Sequence, residues 1–300
     1  MSFYYNKFVT FLQKYSMEII GIFTITFFVF IILYIYYMYN KVTKVVVFDL
    51  DETLGEFVEL GIFCDVIEKY NKKKLTFKEF YEIFEIFPEF LRPNILKILS
   101  YLKIKKQQGE CDKVIIYTNN QGPKEWSVNI KKFLEKKINY NLFNQVIAAY
   151  KINGKQIEYS RTTHDKTIDD LISCCNLPAN AKICFLDDLY HEKMDHENVY
   201  YIHLEPYNYS IPFNDMAERY YNANSNKIEN KDLFYRYVIN NMSKYNYNFV
   251  NKTNKDKKED IQISKEIFED IQNFFKIYKN NKSKKIKNKY KKNRTLKSYV

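Results

Sequence analysis

This 300-residue chain is short of the residues that punctuate loops and of those that bind soft metals. Six Gly and six Pro are too few for a collagen-like or Pro/Gly-rich low-complexity chain. There are four His and five Cys. The cysteines (Cys64, Cys111, Cys174, Cys175 and Cys184) are odd in number and follow neither a disulfide framework nor a zinc-ligand spacing. They read as reduced core fillers, which points to a cytosolic domain. Charge is missing altogether from residues 19–39.

That uncharged run, IIGIFTITFFVFIILYIYYMY, spans ~30 Å as a helix and matches a bilayer core. Tyr34, Tyr36, Tyr37 and Tyr39 crowd one end and Tyr15 precedes the other, as interfacial anchors do. A cleavable signal would have an apolar region of about 7–15 residues and a small-residue cleavage site. The run therefore predicts a permanent transmembrane helix. Lys7 and Lys14 before it and Lys41 and Lys44 after it leave orientation undecided by charge. The thiols favour a cytosolic folded domain, held close to the membrane by a short connection.

Tyr (28) and Phe (24) are abundant, and 47 Lys and Arg against 36 Asp and Glu give a net charge of +11. The excess of Lys, Asn, Ile, Tyr and Phe is what AT-rich codons encode. The length admits one to two domains.

Residues 44–54 (KVVVFDLDETL) organise the chain. Val45–Phe48 is a continuous apolar run, as expected of a strand buried on both faces in a parallel sheet. Asp49 and Asp51 follow at its carboxyl end, where open α/β sheets bind ligands. Two apart on extended backbone, they point the same way. Their mutual repulsion is reversed by a metal cation. The alternative is a solvated acidic turn.

Residues 113–120 (KVIIYTNN) form a second apolar strand ending in Thr118, Asn119 and Asn120. Gln121-Gly122-Pro123 then turns into a helix over 124–137. Thr118 can donate to a phosphate oxygen, and backbone N–H groups at the helix start, with Asn119, complete an anion site. Residues 145–150 predict a third strand. Lys166 opens a helix whose buried face is Ile168, Leu171 and Ile172; a lysine there opposes the helix dipole unless it meets an anion. His164 is the only histidine near these segments and reads as a loop residue. Residues 182–188 (KICFLDD) repeat the first pattern, with Asp187 and Asp188 at a strand end. Carboxylates converging from two strands would repel without a cation, and oxygen donors suit Mg²⁺. Residues 198–204 supply a fifth strand.

The D-x-D-x-T-L run, then Thr118, Lys166 and the Asp187-Asp188 pair, resemble motifs I to IV of the haloacid-dehalogenase superfamily, in its order. The form DLDETL is most similar to the NLI-interacting-factor-like, or C-terminal-domain phosphatase-like, branch; Arg161 and Arg92-Pro93 echo it. The resemblance covers about 44–206. It implies a Rossmann-like α/β fold, a central and mainly parallel sheet flanked by helices, here preceded by the transmembrane helix. It also implies Asp49 as nucleophile, Asp51 as acid and base, and Thr118 and Lys166 on the phosphoryl oxygens. Mg²⁺ is then held by Asp49, the Asp51 carbonyl, Asp187 and Asp188.

Residues 55–91 depart from that branch, which carries a short hairpin there. Phe77, Phe80, Tyr81, Phe84 and Phe87 predict an amphipathic helix in a small cap or insertion. Arg92-Pro93 is expected to open the next helix, with Ile95, Leu99 and Leu102 inward. The expected organisation is a segment 1–18, the span 19–39, a catalytic domain 42–222, and an Asn/Lys-rich extension 223–300. Within that extension an amphipathic helix is expected over 263–278. From 276 to 300 there are eleven Lys and Arg and no acid. That basic tail suits anionic lipid, nucleic acid or plain solvation.

The expected activity is hydrolysis of phosphate monoesters, on phosphoserine or phosphothreonine proteins. A membrane-anchored peptide-binding receptor of the same fold, without catalysis, is one alternative. Action on nucleic acid ends or small molecules is another.

Overall fold

The computed structural model describes residues 2–40, 42–245 and 248–279. It divides into two compact units, Met1–Val42 and Thr43–Val300. The first is one helix, α1 (Ser2–Asn40), 39 residues long. Helix thus extends well beyond the expected 19–39. Inside it, Thr24 and Thr26 turn their hydroxyls onto the carbonyls of Ile20 (3.0 Å) and Ile22 (2.9 Å), which satisfies them without solvent. Among the described residues, no helix is long and apolar enough to cross a membrane. Of the uncharged run, the side chains at 19, 35 and 37–39 lie outside the described residues.

The second unit is built on β1 (Lys44–Phe48). Its valines and phenylalanine are at most 1% exposed. Side chains alternate across a strand, so Val46 and Phe48 join one apolar cluster and Val45 and Val47 another. After β1 come α2 (Val58–Asn71), α3 (Phe77–Ile86) and α4 (Ile95–Gln107). Then follow β2 (Lys113–Tyr117), α5 (Lys124–Ile138) and β3 (Gln145–Ile147). A small hairpin, β4 (Lys151–Ile152) and β5 (Lys155–Gln156), turns on Asn153 and Gly154, both at positive φ as such two-residue turns require. Next are α6 (Ile168–Cys175), β6 (Lys182–Asp187) and β7 (Val199–His203). The closing helices are α7 (Phe213–Asn224), α8 (Lys231–Met242) and α9 (Asn254–Ile277).

Five strands form one sheet in the order β3-β2-β1-β6-β7, every pair parallel. This is the expected Rossmann-like α/β arrangement. The chain winds outward from β1 through β2 to β3, then crosses to β6 on the other side of β1. That reversal puts a topological switch point at the carboxyl ends of the central strands, where such sheets take ligands.

The layers are unequal. The cluster holding Val46 and Phe48 also takes buried residues from α2, α3, α4, α5, α7, α8 and α9. The opposite face is covered by α6 and the segments around Leu177 and Met194. Two boundaries therefore differ from expectation. Residues 55–91 are part of the thick layer: Phe84 stacks on Phe133 of α5 with centroids 3.9 Å apart, and Phe80 meets Trp126 edge-on at 5.4 Å. Aromatic area buried against the sheet layer, not a separate cap, accounts for the Phe-rich pattern.

The break expected at 222–223 falls inside α7. Phe234, Val238 and Met242 of α8 are fully buried, as are Ile271 and Phe274 of α9. Helices α8 and α9 thus belong to the same core. α9 begins earlier than expected, under a capping box of Thr253 and Asp256. Its end is tied back to the start of β1, where Lys44 Nζ donates to the Tyr278 carbonyl at 3.3 Å. α4 begins at Ile95, after Asn94 at φ 61°, so Arg92-Pro93 stands just outside it. The basic tail from 280 onward lies outside the described residues.

Candidate active site

The site grows out of strand register. Phe48 pairs with Leu186, and the Asp49 N–H continues the ladder onto the Leu186 carbonyl at 2.9 Å. Asp49 and Asp187 therefore leave adjacent strands side by side. Between them lies Lys166, 2% exposed. Its Nζ donates to Asp49 Oδ1 and, at 2.7 Å, to Asp187 Oδ2. Lys166 is held there from behind. Thr167 caps α6 by accepting from the Asp170 N–H at 3.0 Å, and the Tyr117 hydroxyl accepts from the Thr167 N–H at 3.4 Å. The cap fixes the turn that delivers Lys166 to the strand ends.

Carboxylate oxygens of Asp49, Asp187 and Asp188 lie within 4.8 Å of one another. Asp187 Oδ1 accepts from the Leu189 N–H at 2.9 Å, and Asp188 Oδ1 accepts from the Thr53 hydroxyl at 3.1 Å. Asp51 stands on the tight turn that follows β1. Its Oδ2 accepts from Asn120 Nδ2 at 2.7 Å, while its Oδ1 is buried with no hydrogen-bond partner among the described residues. Thr118 is 2% exposed, and its Oγ1 accepts from the Asn120 N–H at 3.0 Å. All seven residues expected from the sequence are on the carboxyl side of the sheet. Asn119 stands apart in its bonding. Its Oδ1 accepts from Arg161 at 2.8 Å, so its side chain braces a loop.

Two buried arginines hold the loops. Arg92 Nε donates to the Thr53 carbonyl at 2.7 Å, and its NH2 donates to the carbonyls of Glu52 (2.5 Å) and Glu205 (2.8 Å). This clamp sits on Glu52, which holds a positive φ of 54° without being glycine. Strain of that kind, about 1 kcal/mol or more, persists only where neighbours over-determine it. Gly55 closes the same turn. A Cβ there would come within 2.7 Å of the Phe57 ring and collide with the Phe90 carbonyl. Arg161 ties the Thr118 carbonyl (3.2 Å) and Ala148 carbonyl (2.9 Å) to those of His164 (3.0 Å) and Asp165 (3.2 Å). It thus joins the β2 turn to the Lys166 turn.

Electrostatics follow from burial. Burial pushes the Asp49 carboxyl well above its ordinary value; Lys166 opposes this and Asp187 adds to it. Asp51 is raised by burial, with the Asn120 hydrogen bond opposing. Asp188 is raised by burial and then by Asp187. For Asp187, burial pushes up, but Lys166 and His191 outweigh it and hold the group below its ordinary value. Burial would discharge Lys166; Asp49 and Asp187 outweigh it and keep the ammonium charged. Glu52 is pushed up to about 7 by burial and the nearby aspartates.

Histidines correct one expectation. His164 is a loop residue, but His191 stands nearer the acids, with Nε2 3.3 Å from Asp187 Oδ2 and outside hydrogen-bond alignment. His203 Nε2 lies 2.8 Å from the Asp188 carbonyl. His191 stands only four residues after Asp187, whereas His203 is returned to the pair by β7 lying beside β6. Asn120, Thr53 and Arg92 were likewise unassigned in the sequence reading. Asn120 had a positional signal, two residues after Thr118.

The donor set fits a hard divalent cation. Three carboxylates meet at one point, which is the oxygen-rich arrangement such an ion takes. No family model, curated protein or solved structure matches this chain.

Proposed function

We propose that this chain is a Mg²⁺-dependent phosphatase that hydrolyses phosphate monoesters through an aspartyl-phosphate, acting on phosphoserine or phosphothreonine proteins. The observation that carries the reading is the buried Lys166 ammonium set between Asp49 and Asp187, with Asp188 beside them. Buried charges are costly, and a fold retains such a cluster for structure less readily than an apolar core. Strongly perturbed carboxylates at a sheet switch point mark chemistry.

Asp49, Asp187 and Asp188, with the Asp51 carbonyl, would hold Mg²⁺, which when bound offsets charge on the phosphoryl oxygens. An Asp49 oxygen attacks phosphorus, and the bond from phosphorus to the ester oxygen breaks. Asp51 gives its proton to that departing oxygen. Water then attacks phosphorus and surrenders a proton to Asp51, and the bond to Asp49 breaks, freeing phosphate. Lys166 stays charged throughout and neutralises the attacking carboxylate and the transferring group. Thr118 donates to a phosphoryl oxygen. Uncatalysed monoester hydrolysis needs up to ~10²¹-fold acceleration, so positioning and charge must act together.

A membrane anchor belongs to the same proposal. It rests on the sequence of 19–39 and on the single helix that contains it. The catalytic unit would then face the cytosol, with the basic tail available to anionic lipid. Glycan at Asn208, Asn241 or Asn251, each of which begins an N-x-Ser/Thr sequon, would place it in a lumen instead.

The purified full chain in detergent should release phosphate from an aryl phosphate in Mg²⁺ and lose this with chelator. Phosphopeptides should outrun nucleotide ends in the same assay. A chain that binds peptides but releases no phosphate from any of them would favour the receptor alternative.

A further inference from the structure

Asn120 connects the two halves of the proposed chemistry, and its orientation is set by three bonds. Its backbone N–H donates to Thr118 Oγ1 at 3.0 Å, and its Nδ2 donates to Asp51 Oδ2 at 2.7 Å. Its Oδ1 accepts from the Gly122 N–H at 2.8 Å. An amide can be read in either of two flips, and its partners decide. Turning this one over would set NH2 against the Gly122 N–H and a carbonyl oxygen against the Asp51 carboxylate. The contact with the Gly122 N–H would be repulsive, and that donor decides the flip. The direction of the hydrogen bond to Asp51 is therefore determined.

A protonated carboxyl has one O–H oxygen and one that only accepts. Asn120 occupies Asp51 Oδ2, which leaves Oδ1 as the oxygen free to meet a leaving group. That oxygen is buried and has no hydrogen-bond partner among the described residues. A buried polar atom left without a partner is costly, so a leaving oxygen that takes a proton is favoured there.

We infer that Asn120 is a positioning residue for proton delivery: it holds Asp51 by Oδ2 and thereby assigns Oδ1 as the atom that protonates the leaving oxygen. Gly122 supports it from the other side. A Cβ at 122 would stand 2.8 Å from Asn120 Oδ1, closer than real Cβ contacts, so a side chain there displaces the amide. The inference rests on the phosphatase reading above.

The test is the dependence of kcat on the leaving group. A good leaving group such as 2,4-dinitrophenolate departs without a proton, whereas phenolate needs one. The full chain and its Asn120→Leu variant would be assayed on 2,4-dinitrophenyl, p-nitrophenyl and phenyl phosphate, with thermal melting as a check on folding. Asn120→Leu keeps the shape and removes the donor. The expected result is a loss of about 10²-fold on phenyl phosphate, the scale of general-acid catalysis, and less than about threefold on the dinitrophenyl ester. Gly122→Ala should show the same trend more weakly, and decides the matter if Asn120→Leu does not fold. Equal losses across the three esters, or none, would overturn the inference while leaving the phosphatase reading in place. No turnover of any ester by the parent chain would overturn both.

Discussion

Lys166 Nζ lies 2.7 Å from Asp187 Oδ2, deep enough that burial alone would strip its charge. Asp49 completes the arrangement from 117 residues upstream. Breaking a buried pair by removing one partner costs about 3–5 kcal/mol, because the other charge stays buried and unmatched. Lys166→Met should therefore abolish turnover and lower stability by that order in urea unfolding at neutral pH. Asp49 and Asp187 would then repel each other, so the deficit should shrink as pH falls and one of them takes a proton. A deficit independent of pH would mean that Lys166 carries no charge in the parent.

Arg92 supports the reacting loop without touching the acids by its side chain. Its guanidinium serves three carbonyls at once, those of Glu52, Thr53 and Glu205. A lysine cannot span that fork. Arg92→Lys should lower stability by about 1.5–3 kcal/mol, the range of charge-assisted hydrogen bonds. It should also reduce kcat, since the turn carrying Asp51 and Thr53 loses its clamp. Unfolding and turnover measured on the same preparation check both.

Glu56 gives a pH signature separate from the acids of the site. It is 3% exposed, and its Oε1 accepts from the Val58 N–H at 2.9 Å at the start of α2. Burial, and then Glu52, push its carboxyl from 4.5 up to about 7. A raised carboxyl pKa means that the folded state prefers the neutral form. The cost of ionising it is absent below about 4.5, grows between 4.5 and about 7, and is constant above. Glu56→Gln keeps the acceptor and cannot ionise. The variant should gain stability over the parent as pH rises through that window, and the two should converge near pH 4, as thermal melting across pH would report.

The carboxylate cluster should respond to metal directly. Mg²⁺ bound only by the folded state at about 100 times its Kd adds ~2.7 kcal/mol. The melting temperature should rise with Mg²⁺ in the parent and in Asn120→Leu, but not in Asp188→Asn. Chelation should reverse the shift and stop turnover.

The sheet and the acids at its edge were legible because each strand is a short apolar run that stops at polar residues. Val45–Phe48 ending at Asp49, and Ile183–Leu186 ending at Asp187, carry that signal in a few adjacent letters. Contacts that join distant segments left no such mark. Nothing local says that His203 will pair with Asp187 across β6 and β7, or that Arg92 will reach across to Glu52 and Glu205. The carboxyl-terminal boundary was hidden for a different reason. Around α8 the surface is Asn and Lys, and its buried stripe is three residues, Phe234, Val238 and Met242, easily lost in that background. The aromatic run 77–87 showed its helix but not its partner, since Phe133 and Trp126 come from a helix some forty residues downstream.

The most direct test is acid quenching of the full chain during turnover of a phosphate monoester, followed by peptide mass analysis. A phosphoryl adduct on the peptide containing Asp49, absent from Asp49→Asn, is the predicted result. Phosphate release with no adduct on that peptide, or undiminished in Asp49→Asn, would contradict it.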